Sequence, residues 1–482
     1  MATLKPYLAY KDSGLPWLGD VPAHWTQLSG RACYRERKVP NIGLQETTVL
    51  SLSYGQIVIK PVEKLHGLVP ASFETYQIID PGDIVVRPTD LQNDWNSLRF
   101  GLSQHRGIIT SAYMCLHAED VMTREYGHLL LHAYDLKKVF YGLGSGLRQN
   151  LDWRDFKYLP CLVPPLYEQA AIVRYLDHVD RRIRRYIRAK LKLIALLNEQ
   201  KQAIIHQAVT RGLDPNVRLK PSGVEWLGEV PEHWIEHVIG QVAESLQTGP
   251  FGSQLHASDY VEGGIPVINP LHLRNGRILA DTKFAVSSDT VERLSRHKLE
   301  AGDLVIGRRG ELGRCGLVGI AEVGWLCGTG SMRLRPKSGF FHPQYLLLLL
   351  TSRGVREFLS LISVGATMEN LNTSIVSRIH LPCPPMSEQE QIAIFVDQSS
   401  ITMEQAIDHA QRQIALIREY RTRLIADVVT GKLDVRAAAA ALPEEGEAAE
   451  AQDEAFEEST EPDADPDAAA EGESDGIIFA DT

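Results

Sequence analysis

No apolar run in this chain approaches the eighteen residues that a membrane-spanning helix requires; the greasiest stretch, Tyr345 to Leu350, is six residues long. No apolar segment follows Lys5, Lys11 and Asp12, so no secretory leader is expected. The six cysteines (Cys33, Cys115, Cys161, Cys315, Cys327, Cys383) form no C-x-x-C pair. That argues against a zinc cage and for reduced, mostly buried thiols of a cytoplasmic protein with no membrane partner. There is no G-x-x-x-x-G-K-[ST], which argues against a nucleotide-driven motor, and no H-E-x-x-H or acidic pair with a downstream E-x-K. Basic residues are missing altogether after Arg436, whereas sixteen Asp or Glu lie between Glu444 and Asp481. The formal charge of −11 therefore misleads: without those sixteen, 50 basic residues face 45 acidic ones, and the body carries +5. The segment from Ala437, rich in Ala, Glu, Asp and Pro, is expected to be a disordered acidic tail, either solubilising or a mimic of nucleic acid.

What the chain does contain, it contains twice. Ser13-Gly14-Leu15-Pro16-Trp17-Leu18-Gly19-Asp20-Val21-Pro22-Ala23-His24-Trp25 returns as Ser222-Gly223-Val224-Glu225-Trp226-Leu227-Gly228-Glu229-Val230-Pro231-Glu232-His233-Trp234, nine of thirteen positions identical at an offset of 209. Pro164-Pro165-Leu166-Tyr167-Glu168-Gln169 returns 220 residues later as Pro384-Pro385-Met386-Ser387-Glu388-Gln389. Val209-Thr210 with Leu213-Asp214 returns as Val429-Thr430 with Leu433-Asp434. The second half thus holds eleven extra residues before Gly302-Asp303, and Asp90 to Asn96 has no counterpart. A common frame holds two different inserts.

Each insert alternates short apolar runs, such as Ile84-Val85-Val86 and Leu304-Val305-Ile306, with Gly, Pro and Asp, and then reads as helical around Arg124 to Phe140 and His342 to Leu361. Asp83 and Asp303 look like turn residues before a strand. After each Pro-Pro motif the pattern changes to heptads free of Gly and Pro: Ile172, Leu176, Val179, Ile183, Leu197 and Ile204 in one, Ile392, Val396, Met403, Ile417 and Leu424 in the other. Some forty residues make a helix of about 60 Å, too long for a domain of this size to cover. Two equal helices in one chain are expected to pair antiparallel, giving a pseudo-two-fold α+β molecule with its domains at opposite ends of a spacer.

Phe140-Tyr141-Gly142-Leu143-Gly144 matches the F-x-G-x-G loop of adenine methyltransferases. The partner loop, [Asn/Asp/Ser]-Pro-Pro-aromatic, is missing: Val163-Pro164-Pro165-Leu166 lacks the polar residue and Asn269-Pro270-Leu271-His272 the second proline. The glycines read as a turn, and the chain reads as non-catalytic.

The three paired motifs, in order and twice over, resemble the specificity subunit of type I restriction–modification systems; the resemblance covers residues 1 to about 436. It implies a target-recognition domain over 1–160, a central helix over 161–212, a second recognition domain over 213–380, a distal helix over 381–436 and the tail over 437–482. It further implies that the helices pair and dock two methyltransferase (modification) subunits, joined by restriction subunits. S-adenosylmethionine, ATP and Mg would belong to those partners, and no cofactor to this chain. Double-stranded DNA would be read in two unlike halves. Residue types suited to phosphates and base edges are Arg87, Asn93, Asn96, Arg99, Gln104, His105, Arg106, Arg148 and Gln149 in the first insert, and Arg274, Asn275, Arg277, Arg308, Arg309 and Arg314 in the second. The alternatives are a duplicated protein-interaction scaffold and a divergent, self-contained methyltransferase.

Overall fold

The computed structural model describes residues 4–61, 72–95, 97–143, 150–251, 253–310, 313–363 and 371–443. They form two compact units, unit 1 from Met1–Leu191 with Ala410–Thr482 and unit 2 from Lys192–His409. A central helix, Leu166–Arg211, begins in unit 1 and ends in unit 2, and a distal helix, Met386–Val429, does the reverse. Pro165 and Pro385 precede their first turns, where a missing amide hydrogen costs nothing, and Gly212 and Gly431 come after them at φ +74° and +78°.

In unit 1 four strands, β1 (Tyr34–Glu36), β2 (Ile84–Val86), β3 (Phe100–Leu102) and β4 (Met114–Ala118), form an antiparallel sheet in the order β1-β4-β2-β3. Ile79, Val85, Ile109 and Cys115 fill the core beside it. The helix Arg124–Leu136 starts on Thr123, whose hydroxyl accepts from the Tyr126 amide. Within this unit the Arg421 Nε lies 2.5 Å from Asp180 Oδ1, and Tyr186 Oη donates to Gln413 Oε1 at 3.1 Å. Numbers rise on one helix as they fall on the other, so the segments run antiparallel.

Unit 2 repeats the sheet. Its strands are β5 (Ala243–Thr248), the hairpin β6–β7 (Leu273–Arg274 and Arg277–Ile278), β8 (Leu304–Gly307), β9 (Cys315–Leu317) and β10 (Ser331–Pro336). The order β5-β10-β8-β9 matches β1-β4-β2-β3 strand for strand. It also has a nine-residue strand, Tyr260–Ile268, longer than any described strand of unit 1. The expected helix His342 to Leu361 is two helices, Pro343–Leu350 and Arg353–Ser363, divided where the Ser352 hydroxyl donates back to the Leu349 carbonyl. Lys201 pairs with Glu404 between the helix segments of this unit.

The heptad residues have two jobs. Ile172, Leu176, Ile183, Ile392, Val396, Met403 and Leu424 are buried, whereas Leu197, Ile204 and Ile417 are partly exposed. Ile392 and Val396, expected to pair with the other helix, lie in one buried core with Ile205, Ala208 and Val209 of the central helix and with Trp234 and Tyr345 of the same unit. The opening turns of the distal helix thus pack on both the domain and the central helix. A correction concerns the tail. Arg436–Ala440 is helical, with Ala439 buried, so 437–443 continue the body of unit 1; the acidic residues from 444 lie outside the described residues.

Candidate nucleic-acid interface

The repeated motifs meet in space. His24 Nε2 lies 2.6 Å from Glu168 Oε1 and Trp25 Nε1 donates to Glu168 Oε2 at 2.8 Å. In unit 2 His233 and Trp234 hold Glu388 in the same way, at 2.8 and 3.1 Å. The neighbouring glutamines close the backbone: Gln169 donates to the carbonyls of Pro164 and Val121 and accepts from the Thr123 amide. Gln389 does the same with Pro384, Phe340 and His342. A buried carboxylate needs such donors, and indole and imidazole supply them at a fixed angle. This clamp sets each domain on the start of its helix.

The two clamps are not equal. Glu168, fully buried, also receives Arg436 at 3.1 Å and Tyr7 Oη at 3.4 Å, while the Glu388 side chain keeps 25% exposure. Arg436 is fixed by Asp434, lies over the Tyr7 ring, and is accompanied by a bond from the Asp434 amide to the Lys5 carbonyl. Burial, followed by the Glu168 and Asp434 charges, raises the Tyr7 hydroxyl above its usual range.

On this frame each sheet presents its β2–β3 or β8–β9 loop. The base is the same in both. The Pro88 carbonyl accepts from the Leu151 amide at 2.9 Å, and 220 residues later the Arg308 carbonyl accepts from the Leu371 amide at 3.0 Å. Asp83 and Asp303 sit in the expected turns, accepting from the amides of Asp80 and Glu300. They also anchor side chains: Arg37 and His117 on Asp83, a bidentate Arg335 at 2.7 and 2.8 Å on Asp303.

Beyond the base the units diverge. Arg99, expected to face DNA, is fully buried. Its guanidinium donates to the carbonyls of Arg87, Thr89, Asp90 and Asp94 at 2.6–3.3 Å, and its Nε to Tyr141 Oη. It shapes the loop from inside. Arg87 is half-buried and pairs with Asp94 at 3.3 Å. Asn93, exposed, donates to Asp90, and Arg106, exposed, pairs with Asp80 and Glu46. Gln104 and His105 are exposed beside it. Asn96, Arg148 and Gln149 lie outside the described residues.

In unit 2 the arginines gather. Asn275 and Gly276, both at positive φ, make the two-residue turn of a hairpin that sets Arg274 directly opposite Arg277, both exposed. The Gly276 carbonyl accepts from the Leu317 amide, laying the hairpin along β9. Arg314 leads into that strand, while Arg308 and Arg309 leave β8. Arg308 donates from Nε to the Leu371 carbonyl; partial burial and the Arg309 charge lower its pKa from the usual guanidinium value. Opposed like charges on a small hairpin are unfavourable alone and suited to an anionic ligand.

Sequence reasoning missed Trp95 and Lys138. Trp95, half exposed, stacks on Tyr141 with centroids 4.5 Å apart, and Lys138 lies 4.6 Å above the same ring while donating to the Trp95 carbonyl. It also passed over a four-residue histidine spacing, His128–His132. These rings stack on one helix, and burial lowers both below the usual imidazole value. Among the described residues no group of three or more His, Cys, Asp or Glu is placed to hold a metal. Phe140 of the methyltransferase-like sequence is core, packed on Phe100 and Phe156. No described helix is long and apolar enough to cross a membrane.

Residues 231–410 match the family described as type I restriction modification DNA specificity domain. The MjaVIII type I restriction enzyme specificity subunit of Methanocaldococcus jannaschii is 23% identical over 368 residues, covering 73% of this chain and 81% of that one. The EcoBI specificity subunit of Escherichia coli is 21% identical, covering 65% and 67%. A chain solved in work on complex assembly and conformational transition of the type I R-M system shares the fold at a TM-score of 0.60 and 15% identity, covering 86% of this chain and 99% of the other.

Proposed function

Since the chain belongs to the specificity subunits of type I restriction–modification systems, we propose that it reads a bipartite, asymmetric DNA target, with one half assigned to each insert. It is non-catalytic, and methylation and cleavage fall to partner subunits. One observation carries this most directly: identical loop bases, 220 residues apart, hold unlike displays. Unit 2 would use Arg274, Arg277, Arg309 and Arg314 toward phosphates and base edges, with Arg308 positioned by Leu371. Unit 1 would use Arg87, Asn93 and Arg106, with Trp95 offering an aromatic face and Arg99 shaping the loop. The recognition domains are proposed over 1–160 and 213–380. The paired helices would fix the gap between half-sites and dock the methyltransferase subunits.

The test is binding by the chain with its modification subunits, to random and target duplexes across a salt series. A steep fall of log affinity with log salt is expected from the phosphate contacts, together with a preference for two short unlike sequences at fixed separation. Salt-independent binding, or no sequence preference with the partners present, would favour the protein-interaction scaffold instead. Profiling adenine methylation in the host genome identifies the two half-sites.

A further inference from the structure

Unit 1 contains a surface suited to the acidic segment that follows Pro443. On the central helix six arginines and two aspartates lie between Arg174 and Arg188. Arg174 and Arg181 recur at seven-residue spacing and so share one stripe, flanked by the exposed Arg182 and Arg185. Beside the stripe runs a groove of about 530 Å³, walled by Tyr175, Val179 and Ile183 of this helix, Ile417 of the distal one, and Ala441 and Leu442. Arg174 donates to the carbonyls of Leu442 and Pro443 at 3.0 and 3.1 Å, so the last described residues lie at this groove.

The remaining sequence is complementary in charge and composition. Residues 444–482 hold sixteen acidic side chains and no basic one, and near their end lies Gly476-Ile477-Ile478-Phe479. We propose that this segment binds back to unit 1: Ile477-Ile478-Phe479 seat in the groove, and the acidic residues cover the arginines of the central helix. The tail is then an internal competitor for any polyanion or acidic protein surface that uses the stripe. Tethering favours it, because a short intramolecular connection supplies an effective concentration in the millimolar range. This role is independent of which loops read bases.

The test uses the full chain with a benzophenone photo-crosslinking residue in place of Phe479. Crosslinks within one chain to residues 175–186, 417 or 438–442 are expected, with yield falling severalfold between about 50 mM and about 500 mM salt. Crosslinks confined to other surfaces, or formed only between chains, would overturn the proposal. Arg182→Glu with Arg185→Glu should cut the yield about tenfold. Ile477→Asp with Ile478→Asp should do the same; an undiminished yield in that variant also overturns it. With modification subunits and DNA added, loss of the crosslink identifies a displacing partner, whereas an absent crosslink in the free chain refutes the tail as occupant.

Discussion

Glu168 and Glu388 hold matching places, but among the described residues only Glu168 carries an arginine and two tyrosine hydroxyl donors in addition to His and Trp. Replacing it by Gln removes a buried anion from five side-chain partners, whereas Glu388→Gln acts on a side chain still in touch with water. Glu168→Gln is expected to cost about 3 kcal/mol and Glu388→Gln about 1 kcal/mol, read as hydrogen-exchange protection of unit 1 and unit 2 peptides respectively. Equal losses would mean that Arg436 contributes nothing. Asp135 offers a pH test. Burial raises it to about 6, although the Arg99 amide partly opposes the rise. Between its unfolded value near 4 and about 6 the folded state holds more protons than the unfolded state, so stability falls as pH rises through that window. Asp135→Asn should therefore stabilise unit 1 at pH 7, by at most about 3 kcal/mol, and gain nothing near pH 4. A gain independent of pH would rule out this cause. Arg99 shows what residue-level reading lacks. Its residue type suggested DNA contact, but its burial depends on Tyr141 and on carbonyls of a loop with no counterpart in the other half. Arg99→Lys is expected to fail as a substitute, since one ammonium cannot reach four carbonyls. The loop should then lose its half-site preference while unit 2's is kept, as binding to half-site variants would reveal.

At the level of elements the long helices were the most legible features, because heptads without Gly or Pro admit few other readings. Their partners were less so. At Ile392 and Val396 the same spacing serves the domain core and the central helix at once, and periodicity cannot tell those surfaces apart. Solvent-facing Leu193, Leu196 and Leu416, each at least 40% exposed, show that apolar positions also face outward. If the pair is the spacer, lengthening both helices by four residues near Ala203 and the facing Glu404 adds about 6 Å, or roughly two base pairs, to the gap between half-sites. The half-sites themselves should not change, and methylation profiling of the variant distinguishes these outcomes. A change of bases without a change of gap would mean that the helices are not the ruler.

For the whole molecule, duplication was readable because an offset survives where the residues between do not. The two offsets also marked where unit 2 is longer. Exchanging residues 26–160 for those of a relative should change one half-site and leave the other and the gap alone, again seen in the methylation pattern; changes in both would deny the modularity. Unreadable in advance was how the first copy is completed. In unit 2 one continuous stretch runs from the end of the central helix into the next Trp motif. In unit 1 that place is filled by Lys5, Tyr7 and Tyr10 from one end of the chain and Gly431 to Arg436 from the other. The consequence concerns biosynthesis. Unit 2 is contiguous and can mature as it emerges, but the carboxylate of Glu168 must wait for Arg436, 268 residues downstream, before its cage closes. At about 5–20 residues per second that delay is roughly 13 to 54 s. During this interval the first-made half of the protein is the last to be finished, and the more exposed to proteases on the ribosome.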